Sequence, residues 1–146
     1  MPAKYKLVLR KDMRKDAAEG SKLYYASANT TGTCDVYELC DLISAQSTAS
    51  SGDVKLILDE LVNVMRRNLG KGEVVKVGEL GSFQLQFGST GTVTEKEFNP
   101  VLIKSRRIVF RPGKLLKEAV KNYTFEKIAS GAPDEGGGED DRPGEL

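Results

Sequence analysis

The chain has 146 residues and a formal net charge of +1, and 39% of its residues are hydrophobic and 29% charged. This composition is typical of one soluble domain with appendages. The complete absence of histidine excludes catalytic triads that use histidine and classical zinc sites. No apolar run reaches the roughly 20 residues of a membrane helix, and the first residues lack the apolar stretch of a secretory signal. We therefore expect a cytoplasmic protein without a membrane span.

The small net charge hides an uneven distribution along the chain. Residues 131–146 contain six carboxylates and one cation, a net charge of −5, which leaves +6 for residues 1–130. These last residues are also rich in glycine and poor in apolar side chains, so we predict a disordered tail. Such a tail either competes with a polyanion for the basic part of the chain or serves only to keep the protein soluble.

Residues 1–30 are predicted to form an extension with two short strands, at 5–10 and 22–28. Leu7 and Leu9 alternate with polar residues, and Tyr24 and Tyr25 favour a half-buried strand. These two strands can pair with each other or add to another sheet.

Two helices are predicted next, over 35–46 and from Ser51 or Asp53 to Leu69. Thr33 is the expected N-cap of the first helix, and Gly70 is expected just after the end of the second. Cys40 is predicted to be a core residue, because it lies on the apolar stripe of the first helix. The apolar side chains of the second helix cover more than one face, which favours a homodimer. The alternative is that this helix is sandwiched between the first helix and a sheet of the same chain.

Strands are predicted at 73–77, 82–87 and 106–111. Gly78 and Gly81 frame a tight turn between the first two strands, since glycine adopts positive φ without steric strain. Residues 88–105 are interrupted by Gly and Pro, and a turn of helix is expected within 95–98. Pro112 is predicted to open a final helix that continues to about Tyr123, with its apolar side chains directed inward.

The segment 104–117 crowds six cations around a strand-to-helix junction: Lys104, Arg106, Arg107, Arg111, Lys114 and Lys117. Arg107 and Arg111 are expected on one strand face with Arg106 on the other, whereas Lys114 and Lys117 share a helix face. The pattern favours a surface that binds a polyanion. No nucleotide-binding glycine loop and no positioned acid–base pair are visible. We therefore predict no enzyme activity, cofactor, metal site or small-molecule substrate.

This order of elements resembles the HU/IHF family over residues 33–125. Gly81-Ser82-Phe83 matches the family's turn, and Pro112-Gly113-Lys114-Leu115-Leu116-Lys117 resembles its Ser-Gly-Lys-x-Leu-Lys. The resemblance implies an α+β fold, in which a helical dimer base supports a small antiparallel β-sheet. It also implies sequence-tolerant binding of double-stranded DNA in a bacterial nucleoid. Together with the basic segment 104–117, the resemblance predicts nine contact residues. These are Gly81, Ser82, Lys104, Arg106, Arg107, Arg111, Gly113, Lys114 and Lys117. The expected domains are 1–30 as a β extension, 31–130 as the HU/IHF-like domain and 131–146 as the acidic tail.

The arm that HU and IHF insert into the minor groove is where the sequence departs from the family. That arm is rich in Lys and Arg and carries a wedging proline. Here the corresponding residues 84–105 contain only Lys96 and Lys104, which are offset by Glu95 and Glu97. The alternative function is therefore a protein-interaction scaffold that kept the HU-like dimer but lost strong DNA binding. RNA stays open as a partner, since these charges do not separate RNA from DNA.

Overall fold

The computed structural model describes residues 1–129, which form two compact units. Among the described residues, one unit contains Met1–Cys34 together with residues 120–129, and the other contains Asp35–Ala119. The predicted acidic tail, 131–146, lies outside the described residues. Within 1–129, no helix combines the length and apolarity that a membrane crossing requires.

The N-terminal unit is built on a three-stranded sheet. Strand β1 (Ala3–Lys11) pairs antiparallel with β2 (Lys22–Asn29) and parallel with β6 (Phe125–Lys127), so the strand order is β2-β1-β6. The predicted strands at the N-terminus therefore pair with each other. Strand β6 was not predicted, because three residues are too short to show an alternating pattern.

Asp12 organises the connection between β1 and β2. Its side chain is only 1% exposed, and its carboxylate accepts hydrogen bonds from the backbone N–H of Arg14 at 3.0 Å and from the Arg14 guanidinium at 2.7 Å. The Asp12 backbone N–H also donates to the Ser21 carbonyl at 2.9 Å. These Arg14 hydrogen bonds lower the pKa of Asp12, because they stabilise its charged form.

Two helices open the second unit, α1 (Val36–Ala45) and α2 (Ser51–Gly70). The N-cap of α1 is Asp35, whose carboxylate accepts from the Glu38 N–H, so the prediction of Thr33 was wrong. Helix α2 begins with a capping box between Ser50 and Asp53. Gly70 is still helical, and the positive φ after the helix falls two residues later, at Gly72, where φ is +83°.

Helix α2 buries only part of its apolar surface within the chain. Cys40, Val54 and Leu69 are the buried apolar residues of 1–129, which confirms the prediction for Cys40. Leu56 and Ile57 remain 61% and 63% exposed. The alternative of an α2 sandwiched within one chain therefore does not hold, because α1 and the sheet leave a large part of its apolar surface uncovered.

The second sheet consists of β3 (Val75–Val77), β4 (Gly81–Ser89) and β5 (Ile103–Pro112), in that order and fully antiparallel. A short 3₁₀ turn, Gly78–Leu80, joins β3 to β4. Gly78 and Gly81 both have positive φ, as the predicted turn requires. Phe83 and Phe110 pack with ring centroids 4.9 Å apart, on the face of the sheet that lies against α2.

Helix α3 spans Lys114–Lys121. Pro112 is the last residue of β5 and not the first residue of the helix, so this prediction was wrong. Proline fits there because β5 is an edge strand, in which a missing N–H interrupts no ladder. The Gly113 carbonyl instead accepts the Lys117 N–H at 3.1 Å and starts the helix. The apolar side chains of α3, predicted to point inward, are exposed in the single chain; Leu115 is 58% exposed.

Two glycines allow the 3₁₀ turn to touch the junction between β5 and α3. A Cβ on Gly113 would lie 2.1 Å from the Glu79 carbonyl oxygen, and a Cβ on Gly81 would lie 2.2 Å from the Arg111 carbonyl oxygen. The Gly113 N–H donates to the Leu80 carbonyl at 3.0 Å. The backbone contact therefore holds Arg111 and the start of α3 in place, and only glycine fits at both positions.

We expect Asp12→Asn to destabilise the N-terminal unit at neutral pH, because asparagine offers Arg14 no charge and only one acceptor oxygen. The pKa of Asp12 is lowered from its ordinary value of 3.8, so its contribution is present above that pH and is lost as the pH falls further. Denaturant unfolding of both proteins at neutral and acidic pH measures this effect. The stability difference should shrink towards acidic pH, and a difference that does not change with pH would contradict the assignment.

We expect Gly81→Ala and Gly113→Ala each to destabilise the second unit by about 1–3 kcal/mol or more, because the new methyl group meets backbone atoms that cannot move aside. Gly88→Ala is the matched control, since Gly88 lies in β4 with no atom within 4 Å of the added Cβ. Denaturant unfolding gives the free energies. Equal stabilities for all three variants would show that the turn and the junction do not touch.

Candidate nucleic-acid interface

The second sheet has one polar face that is free of carboxylates. Residues opposite each other in an antiparallel ladder share a face, and the ladder joins Lys76 to Ser82 and Ser82 to Arg111. Further along, Gln84 pairs with Val109 and Gln86 with Arg107. The 22 residues of the three strands include five cations and neither Asp nor Glu.

An irregularity in β5 adds Lys104 to this face. Gln86 pairs with Arg107, but Gly88 pairs with Lys104, so β5 has one more residue than β4 across this interval. Ser105 lies in the extra stretch with φ +53°, the left-handed conformation found at β-bulges. Without the bulge, Lys104 would lie on the opposite face from Arg107, because successive strand residues alternate. We call Lys76, Lys104, Arg107 and Arg111 the cationic face.

The cationic face is directed away from α2. On the reverse of the sheet, Phe83, Leu85 and Ile108 line an open apolar groove of about 530 Å³ together with α2 residues, among them Met65. All four cations of the cationic face are exposed. Within 1–129, the one hydrogen bond from their side chains is long, 3.4 Å from the Arg107 guanidinium to the Gln86 amide oxygen. The cationic face is thus available to an anionic ligand.

The structure assigns different places to the remaining predicted contact residues. Ser82 lies on the cationic face between Lys76 and Arg111. Gly81 and Gly113 shape the backbone behind that face and present no side chain. Arg106 is exposed within the bulge, where the ladder gives it no cross-strand partner. The predicted sharing of a face by Arg107 and Arg111 is confirmed.

Lys114 and Lys117 lie in the first turn of α3. The Lys114 side chain is 82% exposed, and its ammonium lies 4.0 Å from the Glu118 carboxylate, one helical turn away. An exposed pair at this distance stabilises little and leaves both lysine charges accessible. These lysines add positive charge where the N–H groups of a helix start also favour anions.

Lys76 was missed by the sequence analysis. It is an isolated lysine between two valines in β3, far in sequence from the basic segment. The sequence feature that indicates its position is its alternation with Val75 and Val77, which places it on the polar face of a strand. Only the register shows that this face is shared with Arg111.

The connection between β4 and β5 folds into short turns. The Thr90 N–H donates to the Leu102 carbonyl at 3.1 Å and closes the base of the loop. Glu95–Glu97 and Pro100–Leu102 each form a 3₁₀ turn, and the Asn99 side chain caps the second. The helical turn predicted within 95–98 is confirmed as 3₁₀. Within 1–129, no group of three or more His, Cys, Asp or Glu side chains is placed to hold a metal ion.

Comparison with known proteins supports this architecture. Residues 1–127 match the profile of a family described as an HU domain fused to a wHTH, Ig or glycine-rich motif. The DNA-binding protein HU of Thermotoga maritima is 37% identical over 86 residues, which are 58% of this chain and 96% of that protein. Integration host factor subunit alpha of Vibrio cholerae is 33% identical over 92 residues, which are 62% of this chain and 94% of that subunit.

A crystal structure of a protein from Bacteroides vulgatus superposes with a TM-score of 0.60 at 20% identity, covering 86% of this chain. The match spans 48% of the length of that protein, so this chain corresponds to about half of it. At this identity the likeness concerns the fold, and it confirms the α+β class. Because the family profile covers nearly all of the described residues and the HU match covers almost all of its relative, the chain belongs to the HU/IHF-like family, in the group whose HU domain is fused to a wHTH, Ig or glycine-rich motif.

Proposed function

We propose that this protein is a non-enzymatic, architectural protein of a bacterial nucleoid that binds double-stranded DNA through the cationic face. The observation that carries the proposal is a sheet face with four exposed cations and no carboxylate in any of its strands. The names of the relatives agree with it, since both HU and integration host factor are named among them and the former is described as DNA-binding.

The cationic face is suited to phosphates more than to bases. Its neutral members, Ser82, Gln84 and Gln86, follow one another along β4 and offer hydroxyl and amide donors beside the arginines of β5. Such side chains and arginines commonly contact phosphate oxygens, which fix position on a duplex without reading its sequence. Each neutralised phosphate also releases counterions, which favours binding at low salt. We therefore propose sequence-tolerant binding.

The loop between β4 and β5 lacks the features of an arm that inserts a side chain between base pairs, so we expect only weak intercalation. A wedge between base steps requires an apolar residue at the tip of an extended arm. Pro100 instead begins a 3₁₀ turn, and Lys96 lies between two glutamates. We propose that the duplex is held mainly by the sheet and the start of α3, with a smaller bend than a wedging arm produces.

We further propose that the binding form is a homodimer that covers the apolar surface of α2. Ile57 and Val62 are 63% and 56% exposed in the single chain, and the open apolar groove beside Met65 is unfilled by the described residues. Burial of apolar area yields roughly 25 cal/mol per Å². A second copy of the same chain would remove several such side chains from water at once.

Arg107→Gln with Arg111→Gln should weaken duplex binding to a similar extent for unrelated DNA sequences. The slope of log affinity against log salt should fall by up to about 0.9 for each phosphate that the variant no longer neutralises. Arg67→Gln with Lys71→Gln removes the same charge from the end of α2 and is the matched control. Fluorescence anisotropy with mixed-sequence duplexes at several salt concentrations measures both. Unchanged binding by the Arg107/Arg111 variant would place the interface elsewhere.

Light scattering should give a mass of twice the 15.9 kDa of one chain at micromolar concentration. Ile57→Glu should shift the population towards the monomer or unfold it, because a carboxylate would be buried without a partner. Asn63→Glu adds the same charge at a polar position of α2, which lies beside Glu60, Arg66 and Arg67, and should leave the dimer intact. A monomeric mass for the wild-type chain would contradict the dimer.

A further inference from the structure

The positive charge of the described chain is concentrated outside the second unit, which we call the HU-like unit. Residues 35–119 contain twelve cations and eleven carboxylates, a net charge of +1. Residues 1–34 with 120–129 contain nine cations and four carboxylates, a net charge of +5 in about half as many residues. The N-terminal unit is therefore the more basic of the two, and the proposed function gives this charge no role.

The strands of the N-terminal unit sort this charge onto defined faces. Together β1 and β2 contain five cations and no carboxylate in 17 residues. One face of the ladder consists of four cross-strand pairs: Lys4 with Asn29, Lys6 with Ser27, Val8 with Tyr25, and Arg10 with Leu23. Cations therefore line β1, and neutral hydrogen-bonding side chains lie opposite most of them on β2. We call Lys4, Lys6, Arg10, Tyr25, Ser27 and Asn29 the N-terminal basic face.

The N-terminal basic face repeats the chemistry of the cationic face. In β5, Arg107, Val109 and Arg111 succeed one another on one side, opposite Gln86, Gln84 and Ser82 of the neighbouring strand. In β1, Lys6, Val8 and Arg10 succeed one another in the same way, opposite Ser27, Tyr25 and Leu23. Both sheets thus present a cation–valine–cation row beside a strand that carries neutral donors. Apart from the Leu23 position, each set can give phosphate oxygens both charge and directed hydrogen bonds.

Two cations of this row, Lys6 and Arg10, are accessible to an anionic ligand. Lys6 and Arg10 are exposed, and neither forms an ion pair or a side-chain hydrogen bond with any residue of 1–129. Lys4 is partly neutralised by an ion pair with Glu126. The carboxylate of Asp12 is occupied by Arg14 and does not reach this row. Tyr25 is 42% exposed between the two cations and can turn its hydroxyl towards a phosphate.

The dimensions of the row also fit a duplex. Strand residues rise about 3.3 Å each, so Lys6 and Arg10 are separated by about 13 Å along β1. Over that length each strand of a DNA duplex presents about four phosphate charges, one for every 3.4 Å of its axis. A straight row of unneutralised cations can therefore lie along the sugar–phosphate backbone without reaching into a groove.

We propose that the N-terminal basic face is a second contact surface for the DNA backbone, separate from the cationic face of the HU-like unit. The proposal rests on the proposed function for the identity of the ligand as duplex DNA. Its consequence is that one chain neutralises more phosphates than the HU-like sheet does by itself. The extension then sets part of the affinity and of the salt dependence, and none of the sequence preference.

The test compares Lys6→Gln with Arg10→Gln against Lys11→Gln with Lys22→Gln, in the full-length chain. The control also removes two positive charges from this sheet, but from its other face. Lys11 and Lys22 lie opposite each other on that face. Affinity for a short mixed-sequence DNA duplex is measured by anisotropy between about 50 and 200 mM salt. We expect the Lys6/Arg10 variant to bind more weakly, with a salt slope smaller by up to about 1.8 because two phosphates are no longer neutralised. The Lys11/Lys22 variant should keep the wild-type slope, and circular dichroism checks that both variants fold.

Each other outcome has a defined meaning. Equal slopes for the wild type and the Lys6/Arg10 variant, with binding still sensitive to Arg107 and Arg111, would overturn this inference and leave the proposed function intact. Equal losses in both N-terminal variants would overturn it too, since only net charge would then matter. If the Lys6/Arg10 variant lost affinity for an RNA duplex of the same sequence but not for the DNA duplex, the ligand of this face would be RNA and not DNA. A wild-type chain that binds no duplex would refute the proposed function itself.

Discussion

The apolar surface of α2 is the constraint on which the rest of the structure depends. A single chain buries few large side chains between α1, α2 and the second sheet, and it leaves Leu56, Ile57 and Val62 largely in water. Folding must offset a conformational entropy cost of roughly 1–2 kcal/mol for each ordered residue, and so small a core offers little to offset it. The same α2 also lines the open apolar groove on the back of the sheet, together with Phe83 and Leu85. In the proposed dimer, assembly, stability and the presentation of the cationic face are coupled through one helix.

The presence of two basic sheets on one chain changes what the family's fold can do. If both surfaces bind as proposed, engagement of a duplex by one sheet would raise the effective concentration of that duplex for the other, so that a weak second contact would add to the affinity. The electrostatic part of such binding is steeply dependent on salt. The near-neutral loop between β4 and β5 offers little grip on the minor groove. Our proposal is therefore that broad contact with the DNA backbone takes the place of deep insertion into a groove.

Periodicity and turn residues predicted most of the fold, because they report local geometry. The stripe that contains Cys40, the strand alternation around Phe83 and the glycines at 78 and 81 all proved correct. The predictions failed where a specific contact selects one of several nearby residues. Thr33 was predicted as the N-cap of α1, but Asp35 caps it; Pro112 was predicted to start α3, but Gly113 does. Lys76 and the bulge at Ser105 could not be predicted, since cross-strand register is a tertiary property and a single extra residue reverses every face beyond it. The contact residues of the site stay predictions until binding is measured.

The parallel pairing of β1 with β6 has a consequence for how the chain is made. The β1–β2 hairpin is local and can form as soon as its residues leave the ribosome, whereas Lys4 meets Glu126 across 122 residues of sequence. Until Phe125–Lys127 has been synthesised, the edge of β1 at Ala3–Tyr5 keeps unpaired N–H and C=O groups, which are open to strands of other nascent chains. The cations of β1 repel such neighbours during that wait. The same charges that we assign to DNA would then also disfavour edge-to-edge pairing of an unfinished sheet.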